Sequence, residues 1–392
     1  MPKVSFTLNG EKTAVPYETG MHFLDVLRDE CGITSPKDGC APQGYCGCCA
    51  VLVDRQPVLS CLRKPEQMEG REVVTLEGIP EEQRRVLAQA FVQDGAIQCG
   101  YCIPGIVVRA SAMLEKCTTR NREAVAKALS GHLCRCTGYS RILDAIQTAG
   151  EAWSNGLKFG QKEPRHPYFF GEQVGLSRTS ALSQNGGAHG VGSSSARYRG
   201  IEHAMGEKPY VADMRIQGML HGAVVLSAHP RAKVLSIDTT PALALPGVER
   251  VLTAEDVPGR RHIGLIVHDW PVFVATCETT RCVGDVLALV VADTRFHAQQ
   301  AAEQVAVEYE VLEPVTDPVA ALESDAPHVH ESGNLLEVCA FSRGDVDAAL
   351  AASEHVIEQT FVTQRIEHAF LEPEACFAVP NGSRLKVYSQ GQ

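Results

Sequence analysis

The sequence predicts a multidomain α+β chain: a small strand-rich unit, a small helical bundle, a linker, and a larger mixed α/β region. Three observations carry that reading. Eight of the 15 cysteines form two quartets in the first third of the 392 residues: Cys40, Cys46, Cys49 and Cys61, then Cys99, Cys102, Cys134 and Cys136. Strand-like alternation leads into the first quartet, whereas apolar residues around the second recur about every 3.6, so two different local folds hold them. Hydrophobic content of 44% against 21% charged residues is enough for several cores at this length.

Residues 3–16 alternate around Asn9-Gly10, the pattern of a β-hairpin. Met21 to Leu27 has helical spacing and ends near Gly32. A Cys- and Gly-rich loop covers 37–49, and a strand pair follows over 49–62 with its turn at Asp54 to Pro57. These pieces make one compact unit, 1–77. Residues 78–154 read as four helices, at 80–93, 104–116, 121–130 and 139–153, joined by short connections as in a small bundle. Asn121 is the expected N-cap of the third and Gly131 its stop. The second quartet falls at the starts of the second and fourth helices, where free backbone N–H groups suit an anionic group. Residues 155–208, with Asn185-Gly186-Gly187 and small residues from Gly190 to Ser195, read as a linker. A mixed α/β region, 209–323, has expected strands at 218–228, 248–253, 286–292 and 304–311 and a helix at 295–303. The last segment, 324–392, has expected strands at 355–364, 374–379 and 384–389. Asn381-Gly382 is its hairpin turn, and the segment reads as an incomplete domain.

The formal net charge is −11 and no Lys/Arg-rich run occurs, which argues against a nucleic-acid partner. No stretch reaches about 18 apolar residues and the N-terminus has no apolar signal core, so neither a membrane span nor export is expected. A cytoplasmic location follows, with thiols reduced and committed to metal rather than to disulfides. The other seven cysteines, Cys31, Cys48, Cys117, Cys277, Cys282, Cys339 and Cys376, read as small buried hydrophobes. Cys48, between Cys46 and Cys49, is expected to point away from them. His229, His368 and the other histidines lack paired metal spacing. Trp153 and Trp270 read as packing residues. No catalytic carboxylate pair stands out, and no catalytic residue is assigned.

Four thiolates converging on one point hold a zinc ion or an iron–sulfur cluster. The first motif, Gly39-Cys40-Ala-Pro-Gln-Gly44-Tyr-Cys46-Gly47-Cys48-Cys49 with Cys61 returning on a hairpin, is one residue longer than the plant-type Cys-x4-Cys-x2-Cys spacing. In the second motif, Cys-x2-Cys alone is shared with zinc and thioredoxin-like proteins, but the pairing with Cys-x-Cys is specific. Two such sites in series suggest a wire for single electrons.

At Gln98-Cys99-Gly100-Tyr101-Cys102 and Leu133-Cys134-Arg135-Cys136-Thr137-Gly138-Tyr139 the chain resembles the xanthine oxidase and aldehyde oxidoreductase family of molybdenum hydroxylases. The likeness covers 3–153 and continues past the linker. It runs through Tyr210-Val-Ala-Asp213, Gly218-Met-Leu-His-Gly222, His229 to Asp238, Pro246-Gly247-Val248, Val283 to Ala292, and His368-Ala-Phe-Leu-Glu372-Pro373. Gln390 falls where the family places a Gln near the molybdenum oxo ligand.

The resemblance implies a ferredoxin-like β-grasp domain over 1–77, a four-helix [2Fe–2S] bundle domain over 78–154, a hammerhead-like domain over 209–323 and the start of a molybdopterin-binding domain over 324–392. It implies two [2Fe–2S] clusters on the eight cysteines, molybdenum–molybdopterin touched by Gln98 and Gln390, and no FAD domain in this chain. The implied reaction adds water-derived oxygen to a C–H carbon. The Pro-Gln-Gly-Tyr-Cys-Gly-Cys-Cys loop looks closer to xanthine dehydrogenase-like members, so the expected substrate is a purine or another N-heterocycle, with an aldehyde as the alternative. Electrons would leave to an acceptor protein or flavin subunit. The family's later pterin contacts and active-site Glu are absent before Gln392, so the chain is expected to be inactive alone. It would work in an oligomer, or as an electron-transfer subunit beside a separate molybdenum subunit.

Overall fold

The computed structural model describes residues 1–40, 42–116, 121–156 and 196–391; Cys117 and the Gly-rich part of the linker lie outside them. Its contacts group Met1–Met214 with Arg365–Gln392 as one unit and Arg215–Gln364 as a second.

The first unit opens with the expected hairpin, β1 (Lys3–Leu8) and β2 (Glu11–Pro16), turning at Asn9 and Gly10, both at positive φ. α1 (Phe23–Asp25) continues into a π turn over Val26–Glu30. β3 (Ala50–Val53), β4 (Gln56–Leu59) and β5 (Glu72–Val74) complete a five-stranded sheet of order β2-β1-β5-β3-β4, in which only the β1–β5 pair is parallel. Alternate residues Val4, Phe6 and Leu8 face Phe23, Val26 and Leu27 across this core, with the Phe6 and Phe23 rings edge to face at 5.3 Å. The cysteine loop, 37–49, hangs from one end of the sheet between the π turn and β3.

Four helices follow: α2 (Glu81–Gln93), α3 (Ile103–Lys116), α4 (Arg122–Ala128) and α5 (Ser140–Ser154). The Asn121 side chain accepts from the Ala124 N–H, as a cap should. Phe91, Ile103, Ile106, Ile142 and Ile146 fill the bundle core. The end of the segment read as linker is built into this bundle. α6 (Gly200–Ala204) packs against α2 and α3, with Gly200 over Val92 and His203 and Ala204 buried. A turn at Val211–Asp213 follows.

Asp213 there reaches two cations of the strand-rich part. It lies 2.8 Å from Arg28 and also pairs with Lys37, and all three side chains are at most 3% exposed. Arg28 donates further to the carbonyls of Thr34, Pro36 and Ala212. Burial opposes ionisation of Asp213, but Lys37 and Arg28 more than offset it, and its carboxyl lies below the ordinary carboxylate range.

The second unit contains β6 (His221–Leu226), β7 (Ala232–Asp238), α7 (Thr240–Leu243), β8 (Val248–Leu252), β9 (His262–Ile263), β10 (Trp270–Pro271), β11 (Val286–Ala292), α8 (Arg295–Ala302), β12 (Ala306–Val311) and α9 (Val346–Ala352). β6-β11-β8 form an antiparallel sheet under α8, and β7 pairs with β12. The expected strands and helix are present; β7 was not anticipated. The strand expected over 355–364 does not form. No ladder pairs it among the described residues, and Val356, Ile357, Phe361 and Val362 are exposed, while α9 stands just before it. β13 (Cys376–Asn381) and β14 (Arg384–Ser389) make the expected hairpin at Asn381-Gly382 and belong to the first unit. Cys277, Cys339 and Cys376 are exposed rather than buried, and Trp270 is 44% exposed rather than packed.

Asp213→Ala leaves Arg28 and Lys37 buried without this carboxylate and is expected to cost about 3–5 kcal/mol, read as a lowered unfolding midpoint by circular dichroism. The folded-state pKa of Asp213 is depressed, so its contribution is complete above the ordinary carboxylate range and drains as pH falls through the lowered value. Wild type and variant therefore converge in acid; a gap that stays constant down to strong acid would contradict this.

Candidate functional site

The two cysteine loops meet face to face. The first is held by backbone bonds from Gln43 N–H to the Cys40 carbonyl and Lys37 N–H to the Cys48 carbonyl. Leu133 N–H, from the second loop, donates to the Cys46 carbonyl at 2.9 Å. Gly47 sits at φ 74, and a Cβ there would fall 2.4 Å from His132 Nδ1, so only glycine lets the loops approach this closely. Cys61 arrives on the turn Ser60–Leu62 directly after β4, where the Ser60 hydroxyl donates to the Cys49 carbonyl.

The second loop is organised by its own motif. Tyr139, at φ 67, turns its hydroxyl back to accept from the Cys134 N–H at 2.9 Å and to donate to the His132 carbonyl. The Thr137 hydroxyl lies 3.1 Å from Cys134 Sγ. Gly100, at φ 88, leaves room for His203 and Tyr210; a Cβ there would lie 2.3 Å from His203 Nδ1.

Within each quartet neighbouring thiols contact one another. Cys99 and Cys136 sulfurs are 3.5 Å apart, and Cys102 hydrogen-bonds to Cys134. Cys61 hydrogen-bonds to Cys49, and Cys40 to Cys46. The Cys102 hydrogen bond is the main cause drawing Cys134 down to about 5, while burial pushes Cys99 up to about 12. Among the described residues no three His, Cys, Asp or Glu side chains gather as one metal ion requires.

Cys48 departs from expectation. It does not point away: it is wholly buried, and its thiol hydrogen-bonds to Cys46 and is the main cause drawing that thiol down to about 6. No room remains on the outer side because α3 presses on the loop there.

Beside the second quartet lies a cavity of about 490 Å³. Gln98, Cys99 and Cys136 line it from the helical part, Arg197, Lys208 and Tyr210 from the segment around α6, and Glu372 and Gln390 from the C-terminal hairpin region. Gln98 and Gln390, 292 positions apart in sequence (390 − 98), thus share one cavity. Gln390 is not a free terminal residue. Its side-chain oxygen and nitrogen are both buried without a hydrogen-bond partner. The Tyr210 hydroxyl donates to the Cys99 carbonyl at 2.9 Å, which leaves His203 Nδ1, 3.0 Å away, as donor to the phenol oxygen. His203, Arg197 and Lys208 have no signal of their own in the sequence, and Tyr210 stands there only as part of a segment of resemblance. The Tyr210-Val-Ala-Asp213 motif was the available signal, but only the fold shows what it touches.

Three family models match, described as the aldehyde oxidase and xanthine dehydrogenase a/b hammerhead domain over 205–313, a [2Fe–2S] binding domain over 75–147 and a molybdopterin cofactor-binding domain over 328–392. The aldehyde oxidoreductase of Megalodesulfovibrio gigas is 32% identical over 388 residues, 95% of this chain and 41% of that protein. The small FeS subunit of nicotinate dehydrogenase from Eubacterium barkeri is 40% identical over 153 residues, 39% of this chain and 97% of that one. The solved aldehyde oxidoreductase of Desulfovibrio gigas superposes with a TM-score of 0.81 at 28% identity over 99% of this chain and 43% of its own. The chain thus spans less than half the length of the aldehyde oxidoreductases it matches. The matches define a mixed α/β multidomain protein with a [2Fe–2S] binding domain and a molybdopterin cofactor-binding domain. The chain belongs to the xanthine oxidase and aldehyde oxidoreductase family of molybdenum hydroxylases, a family of molybdenum-dependent oxidoreductases. Among the described residues no helix is long and apolar enough to cross a membrane.

His203 is held at about 4, below its ordinary 6.5, chiefly by burial. The unfolded chain therefore takes up a proton that the folded one refuses, and stability is lost as pH falls from about 6.5 to about 4. The denaturant midpoint of wild type is expected to fall across that window, and that of His203→Gln to fall measurably less.

Proposed function

We propose that this chain conducts electrons singly from a molybdopterin-bound molybdenum centre through two [2Fe–2S] clusters, as part of a hydroxylase of N-heterocycles such as purines. The carrying observation is the cavity that brings Gln98 and Gln390 together against Cys99 and Cys136. When bound, the molybdenum centre supplies two-electron oxidation with oxygen derived from water. The rest is the work of this chain's own residues. The Gln98 and Gln390 amides offer donors and acceptors to the edge of a pterin, and Arg197 and Lys208 supply positive charge to the same wall. The proposed ligand sets are Cys99, Cys102, Cys134 and Cys136 for the cluster at the cavity and Cys40, Cys46, Cys49 and Cys61 for the outer one. Because each cluster takes one electron at a time, two in series let a two-electron centre discharge stepwise to an acceptor protein or flavin subunit. In this reading 1–77 is the ferredoxin-like β-grasp domain, 78–154 the helical cluster domain, 209–323 hammerhead-like and 324–392 the opening of the pterin-binding domain.

The N-heterocycle reading is supported by the 40% identity to a nicotinate dehydrogenase subunit across the iron–sulfur half. The full-span likeness to aldehyde oxidoreductases favours a second reading, an aldehyde substrate. Dye-linked assay of the native enzyme containing this chain, offered xanthine, nicotinate and benzaldehyde in parallel, separates them: oxidation of benzaldehyde alone would overturn the first reading.

The purified chain is expected to hold about four irons and four acid-labile sulfides, two per [2Fe–2S] cluster, and to show two EPR species when reduced. Stoichiometric zinc, or a single species at full occupancy, would sink the two-cluster assignment.

Cys99→Ala or Cys136→Ala is expected to abolish one EPR species and leave the other at full intensity. Cys49→Ala should remove the opposite species. Loss of both species from either substitution would show that the quartets are not separate sites.

A further inference from the structure

The backbone of the inner cysteine loop is held from outside by residues 197–213, a segment that carries no cysteine. Arg197 Nε donates to the Gln98 carbonyl at 3.1 Å, and the Tyr210 hydroxyl donates to the next carbonyl, that of Cys99, at 2.9 Å. Gly100 makes room for the second contact. A Cβ placed on it would lie 2.9 Å from the Tyr210 hydroxyl oxygen. The tyrosine itself has little freedom. Its N–H donates to Asp213 at 2.9 Å, its ring lies edge-on to Tyr101 at 5.1 Å, and His203 Nδ1 stands 3.0 Å from its oxygen. Tyr210 is 6% exposed and His203 2%, so water competes little for the hydroxyl. Two ammonium groups face the ring, Lys37 at 4.9 Å and Lys208 at 5.5 Å from its centre. Cations on a ring polarise it toward themselves, and a donor on the phenol oxygen acts in the same sense. Lys37, Lys208 and His203 therefore all strengthen the hydroxyl as a donor to Cys99.

We propose that Tyr210 is a positioning residue for electron transfer: its hydroxyl, fixed on the Cys99 carbonyl, raises the reduction potential of the inner cluster. This rests on the reading of both quartets as [2Fe–2S] ligands. An added electron increases the negative charge on the cluster and its cysteines, and an O–H dipole held with its positive end toward Cys99 stabilises that charge. Tyr210 is neither oxidised nor deprotonated in the process; the electron stays on the cluster. The outer quartet has a hydroxyl of its own, that of Ser60, 2.9 Å from the Cys49 carbonyl. Each hydroxyl acts on the cluster whose cysteine it touches. Tyr210 thus makes the first step, from the cavity to the inner cluster, more favourable.

The test is a redox titration of the full chain followed by EPR, the inner species being the one that Cys99→Ala removes. Tyr210→Phe keeps the ring and deletes only the hydroxyl. It is expected to keep both species and to lower the reduction equilibrium constant of the inner cluster about threefold, or about 28 mV for a one-electron couple. The outer cluster should stay within about 1.5-fold of wild type by the same conversion. A ring-fluorinated tyrosine at position 210 has a more acidic phenol of nearly the same shape, and is expected to raise the inner constant above wild type. It also serves as the deciding measurement if the phenylalanine form does not assemble its clusters. Ser60→Ala is expected to move the outer cluster and leave the inner one in place. An inner constant within about 1.5-fold of wild type in Tyr210→Phe overturns the proposal, as does a fluorinated form no different from wild type. An inner shift from Ser60→Ala as large as that from Tyr210→Phe would make the effect general loosening of the loops, and also overturns it. Zinc in the unsubstituted chain would instead remove the two-cluster reading itself, and would be seen before any substitution is made.

Discussion

The buried carboxylate of Asp213 is the constraint on which the arrangement of both cysteine loops depends. It is shared by Arg28, from the π turn after α1, and Lys37, from the start of the first cysteine loop. It also accepts from the Tyr210 N–H, which fixes the turn that aims Tyr210 at the Cys99 carbonyl. One side chain therefore ties the outer loop, the inner loop and one wall of the cavity together. Burying three charges is costly, and a well-packed apolar cluster would give as much or more stability. What the ions add is direction. Arg28 donates to three carbonyls as well as to Asp213, and only one placement of residues 34–37 and 212–213 meets all four demands at once. Apolar packing would tolerate a slide of the two loops that this network does not.

That rigidity matters because one-electron carriers need fixed separation and fixed surroundings more than they need reactive side chains. The Tyr101 ring is wholly buried, lies edge-on to Tyr210 at 5.1 Å, and donates its hydroxyl to the Asp38 carbonyl. The outer and inner loops are thus joined by an aromatic wedge as well as by the ion triad. Glycines at 47, 100 and 105 each stand where a Cβ would strike the facing loop or helix. Potentials of iron–sulfur centres follow burial and hydrogen bonds to sulfur, and here both are set by the contact between loops rather than by either loop alone.

The cysteine quartets, the four helices, the Asn121 cap and the two Asn-Gly hairpins were legible in the sequence because each rests on a short-range rule. Spacing, 3.6 periodicity and turn chemistry are local properties, and they survive in the fold. What was not legible depends on distant partners. Asp213 stands in the sequence only as the end of the Tyr210-Val-Ala-Asp213 segment, and its partners Arg28 and Lys37, more than 170 positions earlier, close on it only in the fold. α6 is too short to show a period and was absorbed into a linker. The apolar residues at 355–364 have the composition of a strand, but composition cannot supply the neighbour that a strand requires. Cys48 was misjudged for a similar reason. Its direction is set by α3 pressing from outside the motif, not by its place between Cys46 and Cys49.

Gln390 shows where the reading from sequence and the reading from structure reinforce each other. The likeness of its position to a family glutamine says which residue to inspect, but nothing in residues 376–391 alone would keep its amide out of water. The hairpin of β13 and β14 packs beside the Val211–Asp213 turn, and so the ion triad that positions Tyr210 also positions Gln390 against the inner cysteine pair. A buried amide with both polar atoms unpartnered costs about 1–3 kcal/mol for each group left unsatisfied. A fold carries such a cost where a ligand will offset it, and the groups around this one are a cationic pair, a second glutamine and two thiols. The cavity thus gathers two glutamines, two cations and the inner cysteine pair in one place, and the network of charges that orders the loops also holds one of its walls.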